Sequence, residues 1–263
     1  MRFKSLGSLK KSASREILLA ELPQEIALTR YARDKAYKIN ELVREIHQRS
    51  YEWYGFTLAF RQQPDVIVDI GLPVNDQNQD QYVRLAPEKI AAYRDSLPEN
   101  LVINGWLHSH GTLEYRHFSP TDEVNQAAVL DYVTSLIMMP VAQKEVVIRD
   151  LALMVMGEGE TPATASVTLF TDVPVGRAQL FETVYGGFCF AIVIGDEGWT
   201  RQEIHYKKRG ILTGETLISH READLMEVHT GKIITPSARE ALELEVKERL
   251  RPVAYTLEKL ERG

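Results

Sequence analysis

The chain has 263 residues, of which 44% are hydrophobic, so it can bury a core in one large domain or in a domain with an appendage. Its formal net charge of -6 gives no basic surface for a nucleic-acid partner. A single cysteine excludes an intramolecular disulfide and suits a reducing compartment, and no apolar segment has the length of a signal peptide or a membrane span. We therefore expect a cytoplasmic globular protein without a nucleic-acid or membrane partner.

The hydrophobic pattern predicts helices and strands that intermingle without a strict alternation. Helical segments repeat apolar residues every three or four positions, and strands are short apolar runs between turn residues. In chain order the predicted elements are a helix at residues 24–49, strands at 56–60 and 65–70, a surface loop at 75–81, a helix from Pro87 to about Ser96, a strand at 101–107, a helix from Pro120 towards Tyr132, strands at 135–139, 150–156, 166–171, 188–194 and 202–206, and a helix from Pro236 to about Leu250. This order predicts an α+β or three-layer α/β fold.

Two of these elements flank the most informative stretch, His108 to Asp122. Side chains two apart in a strand point the same way, so His108 and His110 can reach one metal ion while Ser109 turns aside. Asp122 falls in the first turn of the following helix. Two imidazoles and one carboxylate, with a fourth position left to water, form the ligand set of a catalytic zinc site.

Part of this stretch also suits a plain helix start. Ser119 is a good cap, Pro120 suits the first helical position, and Asp122 can accept from free amides of the first turn. Capping does not account for two histidines at the end of the preceding strand, so we favour the metal site. His117 is an alternative ligand in the same loop, and we expect it to be a loop residue.

The segments His108-Ser109-His110 and Ser119-Pro120-Thr121-Asp122 resemble the His-x-His…Ser-x-x-Asp motif of the JAMM (MPN+) zinc metalloproteases. That family cuts isopeptide and peptide bonds after ubiquitin and ubiquitin-like proteins. It also has a glutamate at the start of an upstream strand with a glycine three residues later, and here Glu52 and Gly55 fit that place.

The resemblance covers roughly residues 25–172 and departs from the usual motif twice. Eight residues separate His110 from Ser119 where the motif usually has seven, and Gly111 stands where a proline often follows the second histidine. A loop extended by one residue need not move the strand or the helix beside it.

The resemblance implies a fold, a cofactor and roles for five residues. The fold would be the JAMM (MPN, cytidine-deaminase-like) core, a mixed sheet flanked by helices, and the cofactor would be one Zn²⁺ held by His108, His110 and Asp122. Glu52 would act as general base toward the attacking water, and Ser119 would donate a hydrogen bond to the tetrahedral oxyanion. The implied reaction is hydrolysis of the amide bond after the C-terminal tail of a ubiquitin or ubiquitin-like protein.

Two other functions are compatible with these residues. One is a JAMM-type amidase that acts on a sulfur-carrier protein or a small metabolite, and the other is a non-catalytic MPN scaffold. We disfavour the scaffold because all five expected residues are present. If Glu52 were not the base, Glu114 would be the next carboxylate to consider.

The second half of the chain carries fewer functional signals. A boundary near Pro174 would separate a metalloprotease domain (residues 1–173, core about 25–172) from an extension of β-hairpin and helix (174–263). The apolar run at residues 188–194 should pack on the core or on a second subunit, so the extension could mediate a homodimer or bind a protein partner. Cys189 in this run is predicted to be a core residue. His205, His220 and His229 lie too far apart in sequence to predict a second metal site.

Overall fold

The structure is a computed structural model. It describes residues 17–78, 87–113, 115–147, 151–155, 167–171 and 179–252. The helices are α1 (Arg30–His47), α2 (Pro87–Asp95), α3 (Pro120–Leu136) and α4 (Pro236–Arg249). The strands are β1 (Ile26–Thr29), β2 (Trp53–Phe60), β3 (Val66–Ile67), β4 (Asp69–Gly71), β5 (Asn75–Asn78), β6 (Leu101–Ser109), β7 (Met139–Glu145), β8 (Leu151–Val155), β9 (Val167–Thr171), β10 (Phe181–Ile194), β11 (Thr200–Gly210), β12 (Thr216–Glu222), β13 (Leu225–Val228) and β14 (Leu250–Pro252). Among these helices, none is both long and apolar enough to cross a membrane.

The chain forms two compact units, each built from several segments. The larger unit comprises Leu22–Met138, Gly186–Lys208 and Leu217–Gly263, and the smaller comprises Met1–Glu21, Met139–Tyr185 and Arg209–Thr216. The boundary predicted near Pro174 lies outside the described residues. All five residues of the predicted site belong to the larger unit.

The larger unit is organised around a mixed sheet with the strand order β12-β11-β10-β6-β2-β4. Strands β6 and β2 are antiparallel, whereas β6 and β10 are parallel. Helix α3 packs on β6, and α4 packs on α1. A mixed sheet with helices packed against it agrees with the predicted α+β class.

Strand β6 holds the middle of this sheet because both of its faces are covered. Eight of its nine residues are buried, including Trp106, which belongs to the main hydrophobic core together with Phe56 and Val129. The apolar run at residues 188–194 is buried and pairs with β6 from Phe190 to Ile194, so the prediction that it packs on the core is confirmed. The strand that carries His108 is therefore held on both faces.

Gly105 permits this close pairing. A Cβ atom at Gly105 would lie 2.2 Å from the carbonyl oxygen of Phe190 on the neighbouring strand, so a larger residue would push β6 and β10 apart. The pairing of β6 with β2 also shifts register between Thr57 and Leu58, opposite this glycine. A glycine inside a strand often marks such a close backbone approach.

The smaller unit contains β7 and the parallel pair β8 and β9. Within it, the carboxylate of Glu182 is buried and accepts hydrogen bonds from the backbone amides of Leu212 and Thr213. These bonds lower the pKa of Glu182, although burial raises it.

Several element boundaries differ from the prediction. The first helix starts at Arg30 and not near residue 24, because Ile26–Thr29 forms β1 between β13 and β3, and Thr29 caps the helix by accepting from the amide of Ala32. The strand predicted at residues 65–70 is two short strands in different sheets, β3 and β4. The strand predicted at residues 135–139 is wrong at its start, because α3 continues to Leu136.

The predicted surface loop at residues 75–81 also begins as a strand. Asn75 in β5 is 1% exposed, and its side chain bonds both backbone groups of Tyr54 and the carbonyl of Pro73. A polar residue that satisfies all its hydrogen bonds can be buried, which composition alone does not reveal. Residues 79–81 lie outside the described ranges.

Candidate metal centre

Strand β6 and helix α3 bring His108, His110 and Asp122 together. Their ligand atoms all lie within 4.8 Å of one another, and the three residues are 2%, 4% and 7% exposed. The two Nε2 atoms of His108 and His110 are 3.1 Å apart. The Asp122 carboxylate places Oδ1 3.2 Å from His108 Nε2 and Oδ2 3.6 Å from His110 Nε2.

These distances fit a metal ion with short bonds. A tetrahedral centre with bonds of about 2.05 Å separates its donor atoms by about 3.3 Å, in the middle of the observed spread. The Nδ1 atom of His110 lies 2.7 Å from the carbonyl oxygen of Tyr115, so this nitrogen carries the proton and the lone pair of Nε2 faces the other two donors. The three residues are therefore close enough, and suitably oriented, to bind a metal ion.

Two of the three residues are already in the protonation state that a cation needs. The third, His110, has a raised pKa, because the lowering effect of burial is outweighed by hydrogen bonds with Asp122 and with the Tyr115 carbonyl, so a bound ion would replace a proton on this ring. Burial lowers the pKa of His108, so this imidazole is neutral and can donate a lone pair. Burial alone would raise the pKa of Asp122, but its contacts with the His108 and His110 rings and a hydrogen bond from the Ser119 amide bring it well below its usual range. The centre therefore presents an ionised carboxylate beside imidazole nitrogens.

Asp122 is held in place by the start of α3. The Ser119 hydroxyl accepts from the Asp122 amide at 3.2 Å, and Asp122 Oδ2 accepts from the Ser119 amide at 2.7 Å. Pro120 occupies the first turn, as predicted. This capping box confirms the helix-start interpretation, and the same carboxylate still faces both histidines, so the two interpretations are compatible.

Glu52 lies immediately before β2 and is 8% exposed, so it is not an exposed strand-end carboxylate. Strand β2 runs antiparallel to β6, with Trp53 opposite Ser109 and Tyr54 opposite His108. Burial raises the pKa of Glu52 to about 7; nearby His110 lowers it and nearby Asp122 raises it. Glu52 can therefore gain or lose a proton near neutral pH beside the ligand cluster.

The backbone conformation of Gly111 accounts for the absence of a proline at this position. Gly111 has a φ of 55°, a left-handed conformation that proline cannot adopt. Its amide donates to the hydroxyl of Ser109, and its carbonyl accepts from the amide of Asp196, so both backbone groups are used. The Ser109 hydroxyl therefore has a structural role here, and Glu114 lies outside the described residues.

A cavity of about 440 Å³ opens beside Asp122, between α3 and strands β11 and β12. This volume is typical of small-ligand and side-chain pockets. The exposed side chain of His117 lines this cavity and does not belong to the ligand cluster. Apolar lining is supplied by Phe118, Leu130 and Ile218, so the cavity can bury an apolar group next to the cluster of His108, His110 and Asp122.

The same cavity brings together two histidines that are distant in sequence. The rings of His205 and His220 stack across β11 and β12 with centroids 5.0 Å apart, and His205 Nε2 lies 3.1 Å from a Glu203 oxygen. The separation of His205 and His220 in sequence therefore did not indicate that their rings are in contact. Burial, together with His220, lowers the pKa of His205 to about 4, so His205 is neutral at physiological pH.

The sequence did not single out two residues beside the centre, Gln126 and Trp199. Gln126 follows Asp122 by one helical turn, and its buried side chain accepts a hydrogen bond from Trp106. The Trp199 ring lies 6.0 Å from that of His110. The spacing of Gln126 from Asp122 was the available signal, since residues four apart share a helix face.

Comparison of the sequence with models of known protein families and with curated proteins finds no match.

Proposed function

We propose that the protein is a zinc-dependent peptidase or isopeptidase of the JAMM (MPN+) type, acting after the C-terminal tail of a ubiquitin or ubiquitin-like protein. The observation that carries the proposal is the buried cluster of His108, His110 and Asp122, with Glu52 beside it. The donor set of two imidazoles and a carboxylate suits Zn²⁺ and leaves one coordination position for water or substrate.

His108, His110 and Asp122 would hold the ion, and Glu52 and Ser119 would serve the reaction. A bound Zn²⁺ polarises a carbonyl and lowers the pKa of water. Glu52 would take the proton from the attacking water and deliver it to the leaving amine, a role typically worth about 10²–10⁴ in rate. The Ser119 hydroxyl would donate to the oxyanion of the tetrahedral intermediate.

Glu52 supports catalysis over a binding-only role. A scaffold has no use for a carboxyl group whose burial raises its pKa to about 7, whereas a general base needs a pKa near the working pH. The cavity beside Asp122 supports an extended substrate, because it could bury a side chain that flanks the scissile bond.

The first test is metal content. Elemental analysis of the purified protein should find one zinc per chain, and the double variant His108→Ala/His110→Ala should lose it. The matched control is His205→Ala/His220→Ala, a histidine pair on neighbouring strands that should leave the zinc in place. Iron is measured in the same samples, because two histidines and one carboxylate also bind iron in oxygenases. Stoichiometric iron, or zinc retained by the first double variant, would contradict the proposal.

The second test is cleavage. The zinc-loaded protein is incubated with ubiquitin-like proteins joined to a second protein by a peptide or an isopeptide bond, with sulfur-carrier fusions, and with small amides. We expect cleavage after the ubiquitin-like tail, and we expect Glu52→Gln to keep zinc but lose turnover. Cleavage of small amides alone would identify an amidase, and near-normal turnover of Glu52→Gln would place the base elsewhere.

A further inference from the structure

The two ligand histidines are held in different ways. His110 donates from Nδ1 to the carbonyl of Tyr115, the usual arrangement for a metal-binding histidine. His108 is 2% exposed, and its Nδ1 has no hydrogen-bond partner among the described residues. Some other contact must therefore fix the orientation of the His108 ring.

Trp106 supplies that contact. It precedes His108 by two residues on β6, so both side chains project from the same face of the sheet. The two rings stack with centroids 4.5 Å apart and an interplanar angle of 16°. Because the indole is fully buried, its position limits how the imidazole can rotate.

The indole is oriented in turn by Gln126. The Trp106 Nε1–H group donates to the side-chain oxygen of Gln126, and the Gln126 amide nitrogen lies 3.4 Å from the sulfur of Cys189 on β10. Gln126 is 2% exposed and lies one turn after Asp122 on the same face of α3. Burial raises the pKa of the Cys189 thiol to about 12, so this cysteine is a neutral core residue, as predicted.

We propose that Gln126 and Trp106 are positioning residues for the metal centre. Gln126 on α3, the helix that carries Asp122, fixes the Trp106 indole on β6 by a hydrogen bond. The fixed indole then limits the rotation of the His108 ring by stacking on it. The pair compensates for the missing hydrogen bond at His108 Nδ1. This inference requires the metal centre and is independent of which amide bond the protein cuts.

The test measures zinc affinity, by competition with a chromophoric chelator, in the full-length protein. Gln126→Leu removes the acceptor and leaves the indole N–H buried and unpaired, and Trp106→Phe keeps a stacking ring without the N–H group. Each variant should bind zinc about 10–100-fold more weakly, the usual effect of losing an outer-shell partner of a ligand. Co²⁺ loaded into either variant should show an altered absorption spectrum, which reports ligand geometry.

The double variant Trp106→Phe/Gln126→Leu separates positioning from general destabilisation. If the two residues act through one hydrogen bond, breaking it from either side has the same effect. The zinc affinity of the double variant should then be no lower than that of the single variant with the lower affinity. Gln126→Glu keeps an acceptor oxygen and should restore most of the affinity. Val133→Ala, a buried change farther along the same helix, should lower stability but leave zinc affinity unchanged.

Two results would overturn the inference. One is a Trp106→Phe variant with the zinc affinity and Co²⁺ spectrum of the parent protein. This result can be obtained even if Gln126→Leu does not fold. The other is a loss of affinity in Val133→Ala as large as that in Gln126→Leu, which would assign the effect to general loosening of α3.

Discussion

A carboxyl group at the end of a strand normally points into water, because removing its charge from water costs free energy. Glu52 does not, and its raised pKa reports that cost. A folded-state pKa of about 7 against an ordinary value of 4.5 means that the folded protein holds this proton more tightly than the unfolded chain does. The favourable contribution of protonated Glu52 is complete below pH 4.5 and is lost as the pH rises through 7.

The raised pKa of Glu52 predicts how the stability of the metal-free protein changes with pH. Glu52→Gln should unfold at a higher urea concentration than the parent protein above pH 7, by a free energy on the order of 2–3 kcal/mol, and the difference should vanish near pH 4.5. The measurement is urea unfolding of both proteins from pH 4.5 to 8.5 in the presence of chelator. A difference that does not change with pH would show that Glu52 is ionised normally in the folded state.

The residues of the candidate site differ in how far the sequence alone could predict their positions. The alternation of side chains along β6 was enough to predict that His108 and His110 face one point, since it depends only on local geometry. The approach of Glu52 to that point depends on the antiparallel pairing of β2 with β6, which spacing alone does not determine. Only the resemblance to a known motif selected this glutamate from the others in the chain.

At the scale of elements, α3 has an unusual inner face. Asp122, Asn125, Gln126 and Val129 point inward, whereas Val124 is 67% exposed and Ala127 is also exposed. Apolar character alone would place Val124, Ala127 and Ala128 in the core, but the first two are exposed and Ala128 is half-buried. An apolar-face rule fails here because the inward orientation of Asp122 fixes the rotation of the whole helix.

The N-caps of α3 and α4 allow a matched comparison. In both helices the cap hydroxyl accepts from an amide three residues later at 3.2 Å and proline follows the cap, with Ser119 in α3 and Thr235 in α4. Ser119→Ala and Thr235→Ala should each cost about 1 kcal/mol of stability. Under the proposed function Ser119→Ala should in addition lower kcat about 10²–10³-fold, because it removes an oxyanion donor.

Urea unfolding, zinc content and cleavage rate are measured for both cap variants. Zinc content shows whether Asp122 keeps its place once the cap hydroxyl is gone. Equal cleavage rates in the two variants would limit Ser119 to capping.

At the scale of the whole molecule, residues late in the sequence complete the unit that holds the site. Strand β10 pairs with β6 directly beside the histidines, with Val193 opposite His108. Helix α4 packs on α1 and buries Leu242 and Val246. The apolar stripe of α4 is covered by the same chain, so it gives no support for a partner there.

The C-terminal segment also contacts the residue next to Glu52. The Tyr51 hydroxyl donates to the carbonyl of Leu250 at 2.6 Å, and an Arg249 guanidinium donates to the carbonyl of Leu72 at 2.5 Å. Tyr51 is 2% exposed, so this contact fixes the entry into β2 from which Glu52 projects. The sequence could not have predicted a bond between residues so far apart.

A chain that ends after Gly231 tests this coupling, because it lacks α4 and β14 but keeps His108, His110, Asp122 and every strand of the sheet that contains β6. We expect it to bind zinc, to unfold at a lower urea concentration, and to cleave more slowly because Glu52 loses the anchor at Tyr51. Two leucines of α4 provide the matched controls: Leu242→Ala, at 5% exposed, should cost about 2–5 kcal/mol, and Leu244→Ala, at 58% exposed, should have almost no effect. If the shortened chain were as stable and as active as the full chain, α4 would be a separate module, and the position of Glu52 would be set by β2 and β6 alone.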